Sequence, residues 1–256
     1  MATLPDLSDL PVIAGIIAAT VFATYAVISL TQRPYESPQY VTAKMKSTVN
    51  HRYIQSRRLL AVVYTAFAVA GWFVVPPLVT ASADDRLPFV CLVCVSLFFA
   101  LHAEVLVGLC LPDRVVWRKR ILWFVPLAVM CGVCLAWPQT ATPLAYIQLC
   151  LLLLLIGYYT PAFFKEYADL TFFCGEDMCN GDPEDDFLPE SLPWISRLYV
   201  ALLLLAIGSA VGCFNSPCVW YAWLLFALYI AYVVWFINRV VSTYTVYSKK
   251  IKHMMG

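Results

Sequence analysis

Long apolar runs alternate with short polar ones along this chain. Seven runs stand out, at roughly 11–31, 59–81, 88–111, 119–137, 142–164, 195–214 and 217–240. Each approaches the ~20 helical residues needed to cross ~30 Å of hydrocarbon. Backbone amides in lipid must be satisfied within their own segment, which makes helices the expected element. The residue-by-residue alternation of a transmembrane β-barrel is absent. The pattern predicts an all-α fold: an integral membrane bundle of seven transmembrane helices, forming one domain over residues 1–256.

Charge orients the bundle. All but one of the 17 Lys and Arg residues fall on one side of the predicted spans. They occupy loop 32–58 (Arg33, Lys44, Lys46, Arg52, Arg57, Arg58), the 112–118 loop and the turn after it (Arg114, Arg118, Lys119, Arg120), the flanks of loop 165–194 (Lys165, Arg197), and the end of the chain (Arg239, Lys249, Lys250, Lys252). Arg86 alone lies opposite. Basic residues stay on the cytoplasmic side, so the N-terminus is expected outside and the tail 241–256 in the cytoplasm. The first run lacks a basic leader, and Asp6 and Asp9 precede it, which favours an uncleaved span over a signal peptide.

Composition excludes a soluble domain. Hydrophobic residues make up 62% of the chain and charged residues 13%, against about half and a quarter in soluble proteins. The net charge of +1 hides the loop asymmetry and identifies no partner. Loop 165–194 is rich in Asp and Glu, with Gly181, Pro183, Pro189 and Pro193, and reads as irregular and solvated. Its acidic run does not fit the calcium-loop spacing. Trp72, Trp137, Trp194, Trp220, Trp223, Tyr158, Tyr159 and Tyr221 fall near span ends, where amphipathic rings anchor helices at the headgroups.

Two ionisable residues, His102 and Glu104, lie inside the third run. At 1.5 Å per residue they sit on the order of 4–7 Å from its midpoint. A charge at such a depth costs at least ~2.5–3.5 kcal/mol, so both side chains should turn into the bundle. Spacing of two residues sends them to different helix faces. His102 shares its face with Phe98, Phe99 and Leu106; Glu104 shares its own with Ala100 and Gly108, small residues that admit a close helix. Gln148 and Tyr158 of the fifth run, or Tyr229 and Tyr232 of the seventh, are the expected polar partners of Glu104. These two residues are the leading functional candidates, balanced against a purely structural role in helix–helix hydrogen bonding.

Six of the ten cysteines fall toward the outer face: Cys91, Cys94, Cys131, Cys134, Cys213 and Cys218. Two Cys-x-x-Cys pairs invite a redox or thiolate-metal reading, though Cys is also a small residue suited to helix contacts. No His or carboxylate accompanies them, so no metal site and no cofactor are assigned. Cys213 and Cys218 flank a short outer turn and are the expected disulfide in an oxidising compartment.

Seven-helix families can be tested by residue. The last run has no lysine for a retinal Schiff base. Asp113-Arg114-Val115 is similar to the acidic-arginine motif of G-protein-coupled receptors, but Pro112 precedes it and the seventh run lacks Asn-Pro-x-x-Tyr. A broader likeness lies in three segments: Ser56-Arg57-Arg58-Leu59-Leu60-Ala61, Leu192-Pro193-Trp194-Ile195-Ser196-Arg197, and the aromatic stretch Tyr229–Arg239. Together they resemble the multi-helix membrane sensor region that precedes the DNA-binding domain in AraC-type regulators of Bacteroidetes. The resemblance implies a bacterial inner-membrane module in transcription regulation, passing a signal through its seventh helix. The output would come from a cytoplasmic partner or a further C-terminal domain, since the chain itself has no nucleic-acid-binding segment. A homodimer is compatible with this layout. The alternative is a membrane enzyme or small-solute transporter using His102, Glu104 and the outer cysteines. Clear inverted repeats, which would favour transport, are not visible.

Overall fold

The computed structural model describes residues 10–31, 51–80, 86–110, 117–179, 192–214 and 219–255. These residues form seven α-helices and one short 3-10 helix, and among them there is no strand. The helices are α1 (Leu10–Thr31), α2 (His51–Val79), α3 (Leu87–Cys110), α4 (Trp117–Ala136), α5 (Ala141–Cys179), α6 (Leu192–Phe214) and α7 (Val219–Met255), with the 3-10 helix Pro138–Thr140 before α5. Their apolar cores coincide with the runs read from the sequence.

Five segments are long and apolar enough to cross a membrane: Leu10–Thr31, Leu87–Val107, Ala141–Asp169, Pro193–Phe214 and Trp220–Arg239. α2 and α4 carry shorter apolar helical stretches, Arg58–Trp72 and Val125–Cys134. Outward faces such as Val12, Ile16 and Val27 of α1 or Leu204, Ile207 and Val211 of α6 are exposed and apolar. That is the surface expected where hydrocarbon rather than water is the solvent. The chain has the character of a multi-pass membrane protein.

α3 is the central helix. Of its apolar window 78% is buried, against 28% for α1 and 22% for α7. It packs on α2, α5 and α6. α1 lies along α2, and the reason is small residues: a Cβ added at Gly15 would meet Pro76 at 3.3 Å, and one added at Gly71 would meet Ala18 at 3.2 Å. Such contacts let backbones approach closely, the main source of attraction between helices in lipid. α7 packs against α6, where the Tyr221 hydroxyl donates to the Gly208 carbonyl at 2.7 Å. α4 sits at the periphery, against α5 and the 3-10 helix.

Two boundaries differ from those expected. α5 does not stop near 164 but stays helical through Cys179, so the first half of the supposed irregular loop is helix. Lys165 to Phe173 contains no Gly or Pro to end it. Likewise α2 begins at His51, ahead of its apolar run. Residues 32–50, 111–116, 180–191 and 215–218 lie outside the described residues. Two expected anchors also turn inward: Tyr159 and Trp194 are buried, whereas Trp72, Trp137 and Trp220 are exposed.

Candidate functional site

His102 is fully buried at the junction of three helices. Its Nδ1 lies 2.8 Å from the Phe98 carbonyl oxygen, one turn back on α3. A carbonyl can only accept, so Nδ1 carries a hydrogen and donates. In the neutral ring Nε2 is then the acceptor, and it takes the hydroxyl of Tyr64 on α2 at 2.5 Å. The imidazole is thus held in one tautomer by two partners from different helices.

Aromatic rings close the remaining sides. Phe98 stacks on the imidazole with centroids 3.9 Å apart. From α7, Phe236 and Tyr232 stand edge-on at 4.8 and 5.4 Å. Tyr229, also on α7, meets Phe98 edge-on at 5.0 Å. Edge-to-face pairs at these separations are favourable geometry for aromatic quadrupoles. Large rings, rather than backbone proximity, make the contact between α3 and α7. The Tyr232 hydroxyl is buried and has no hydrogen-bond partner among the described residues. Buried polar groups without a partner are rare and costly, so this one stands out.

Glu104 takes the opposite side of α3. It is buried, and the Tyr159 hydroxyl of α5 donates to its Oε2 at 3.1 Å. Two residues along a helix turn a side chain through about 200°, so Glu104 is carried away from the face of His102. The neighbour of the expected Tyr158, Tyr159, is the residue seen to bond Glu104, and Tyr158 is largely exposed. Gln148, another expected partner, lies on the same α3–α5 seam but bonds elsewhere: its Nε2 donates to Ser96 Oγ at 2.7 Å. Its Oε1 is buried without a partner. His102 and Glu104 thus bond to different helices, α2 and α5.

The thiols form a third region. Cys91, Cys94, Cys131, Cys134 and Cys213 are free. Cys91 near the start of α3 and Cys213 near the end of α6 lie at the same end of the packed α3–α6 interface, close enough for their thiols to interact. Cys94 lies within electrostatic reach of Cys131 on α4. Cys218 lies outside the described residues, so its pairing with Cys213 is not seen. Among the described residues no group of three or more His, Cys, Asp or Glu side chains could hold a metal ion.

No family model, curated protein or solved structure matches this chain. Sequence reading missed Tyr64, Ser96 and Tyr159 as polar partners. Tyr64 and Ser96 sit in apolar runs, where a lone hydroxyl residue carries no signal of which helix it faces.

Proposed function

We propose that this protein is a membrane-embedded sensory or regulatory module in which His102 couples the bundle to α7. One observation carries the reading. The histidine is bonded to Tyr64 on α2, while the ring of Tyr232 on α7, whose hydroxyl has no hydrogen-bond partner among the described residues, stands edge-on to the same imidazole. In this proposal Nε2 exchanges between the two tyrosines, and α7 moves with the choice. Interhelical hydrogen bonds in lipid are worth about 0.6–2 kcal/mol, small enough for a stimulus to reverse. The two arrangements supply the bistable element that a switch requires.

The length of α7 makes it the natural output. Its 37 residues span roughly 55 Å at 1.5 Å each, well beyond ~30 Å of hydrocarbon. The proposal has seven spans, with α2 and α4 included, the N-terminus outside and the end of α7 in the cytoplasm. The charge asymmetry supports it. A reporter active only outside the cytoplasm should work when fused after Arg86 and fail after Lys119. Activity in the reverse pattern would overturn the orientation. The resemblance to the membrane region of AraC-type regulators favours a transcriptional output delivered by a cytoplasmic partner or domain. The bonding of His102 to α2 and of Glu104 to α5 supports a coupling role over an enzyme or transporter using both residues.

The test is a distance. Labels attached without cysteine chemistry at exposed Arg58 of α2 and Asn238 of α7 report the spacing of those helices. Tyr64→Phe should free His102 for Tyr232 and displace the distance distribution; Tyr232→Phe should hold it at the wild-type value. Identical distributions for wild type and Tyr64→Phe would sink the switch.

A further inference from the structure

The approach of Cys91 to Cys213 joins two helices that are distant in sequence. Cys91 is in the second turn of α3, and Cys213 is one residue from the end of α6. Both therefore sit at the same end of the bundle, the end that the charge pattern puts outside. Cys91 is buried and Cys213 half-buried, so Cys213 is the thiol that an outside reagent meets first.

We propose that Cys91 and Cys213 are a redox pair that closes into an interhelical disulfide between α3 and α6. This assigns Cys213 a partner other than Cys218. The oxidant is a disulfide, carried by a small thiol compound or a thiol–disulfide oxidoreductase. The Cys213 thiolate attacks one sulfur of that disulfide, forms a mixed disulfide and expels the first thiolate. The Cys91 thiolate then attacks Cys213 Sγ, forms the Cys91–Cys213 bond and expels the second. The two cysteines lose two electrons and two protons; the reagent gains both and leaves as two thiols. Exchange through a mixed disulfide is the ordinary route of such reactions. A disulfide needs a Cα separation of about 4.4–6.8 Å, which two helices packed through small residues can reach.

The pair is placed to matter for the rest of the bundle. Ser209 lies one turn before Cys213 on α6, and its hydroxyl bonds the Tyr229 hydroxyl of α7 at 2.9 Å. Tyr229 stands edge-on to Phe98, the ring stacked on His102. A covalent staple at Cys213 would fix the α6 face that holds α7. This consequence rests on the sensory reading above; the disulfide itself does not.

The test uses the full chain in lipid nanodiscs, equilibrated with oxidised or reduced glutathione. Free thiols are then counted in detergent by a mass-tagged maleimide, and the linked peptides are identified by mass spectrometry. Oxidation should protect two of the ten thiols in wild type and two of the nine in Cys218→Ser. In Cys91→Ser it should protect at most Cys213 alone, as a glutathione adduct and with no linked peptides, and in Cys213→Ser it should protect none. Protection that survives Cys91→Ser and vanishes in Cys218→Ser would overturn the assignment, as would no protection in wild type. The Arg58–Asn238 distance is read on the same samples. A bond that forms without moving that distance counts against α7 as the output and leaves the redox pair standing.

Discussion

The two polar faces of α3 differ in what they hold. On one, His102 is gripped by Tyr64 of α2 and walled by Phe98, Tyr232 and Phe236. On the other, Glu104 and Ser96 meet Tyr159 and Gln148 of α5. The α5 face is a line of side-chain hydrogen bonds between two closely packed helices. The α7 face is ring against ring, with the Tyr232 hydroxyl unpaired among the described residues. Hydrogen bonds fix a register, whereas aromatic contacts at 5 Å tolerate sliding. The same helix therefore has one face suited to clamping and one suited to movement.

The largest expected effect attacks the aromatic face. Phe98→Ala removes a ring in contact with Phe67, His102, Tyr229 and Tyr232. Loss of a buried phenylalanine costs about 3–5 kcal/mol. Unfolding in mixed micelles should show a loss of that order; a loss under about 1 kcal/mol would mean that this face is not a packed unit.

The next expectation separates the faces. Glu104→Leu leaves the Tyr159 hydroxyl without its acceptor and should cost about 1–2 kcal/mol. Glu104→Gln keeps an acceptor oxygen and should lose less. Neither should move the Arg58–Asn238 distance, in contrast to Tyr64→Phe. A shift with Glu104→Gln would erase the distinction between clamp and switch.

The smallest effect lies at Gln148. Its Oε1 is already unpaired, so Gln148→Leu removes a desolvated orphan together with one bond to Ser96, whose own hydroxyl also bonds the Leu92 carbonyl. The change in unfolding free energy should stay within about 0.5 kcal/mol of zero, or be stabilising. A cost of several kcal/mol would show that the α3–α5 seam depends on this pair.

Much of the architecture was legible because hydrocarbon imposes a simple rule: a long apolar run must satisfy its own backbone, and so it becomes a helix. The five long apolar helices, the inward turn of His102 and Glu104, and their assignment to different faces all follow from length, polarity and a 3.6-residue period. The onset of α2 at His51 and the extension of α5 to Cys179 did not follow, because outside hydrocarbon no such rule marks where a helix stops.

Tertiary structure alone decided who meets whom. An apolar run is hydrophobic on every side, so its sequence does not say which face points inward or which neighbour it finds. That choice rests on side-chain fit, as where Gly15 and Gly71 admit α1 onto α2. The same packing gave Glu104 the Tyr159 hydroxyl and His102 the Tyr64 hydroxyl. Polarity set the depth of each of these groups, and packing set its partner.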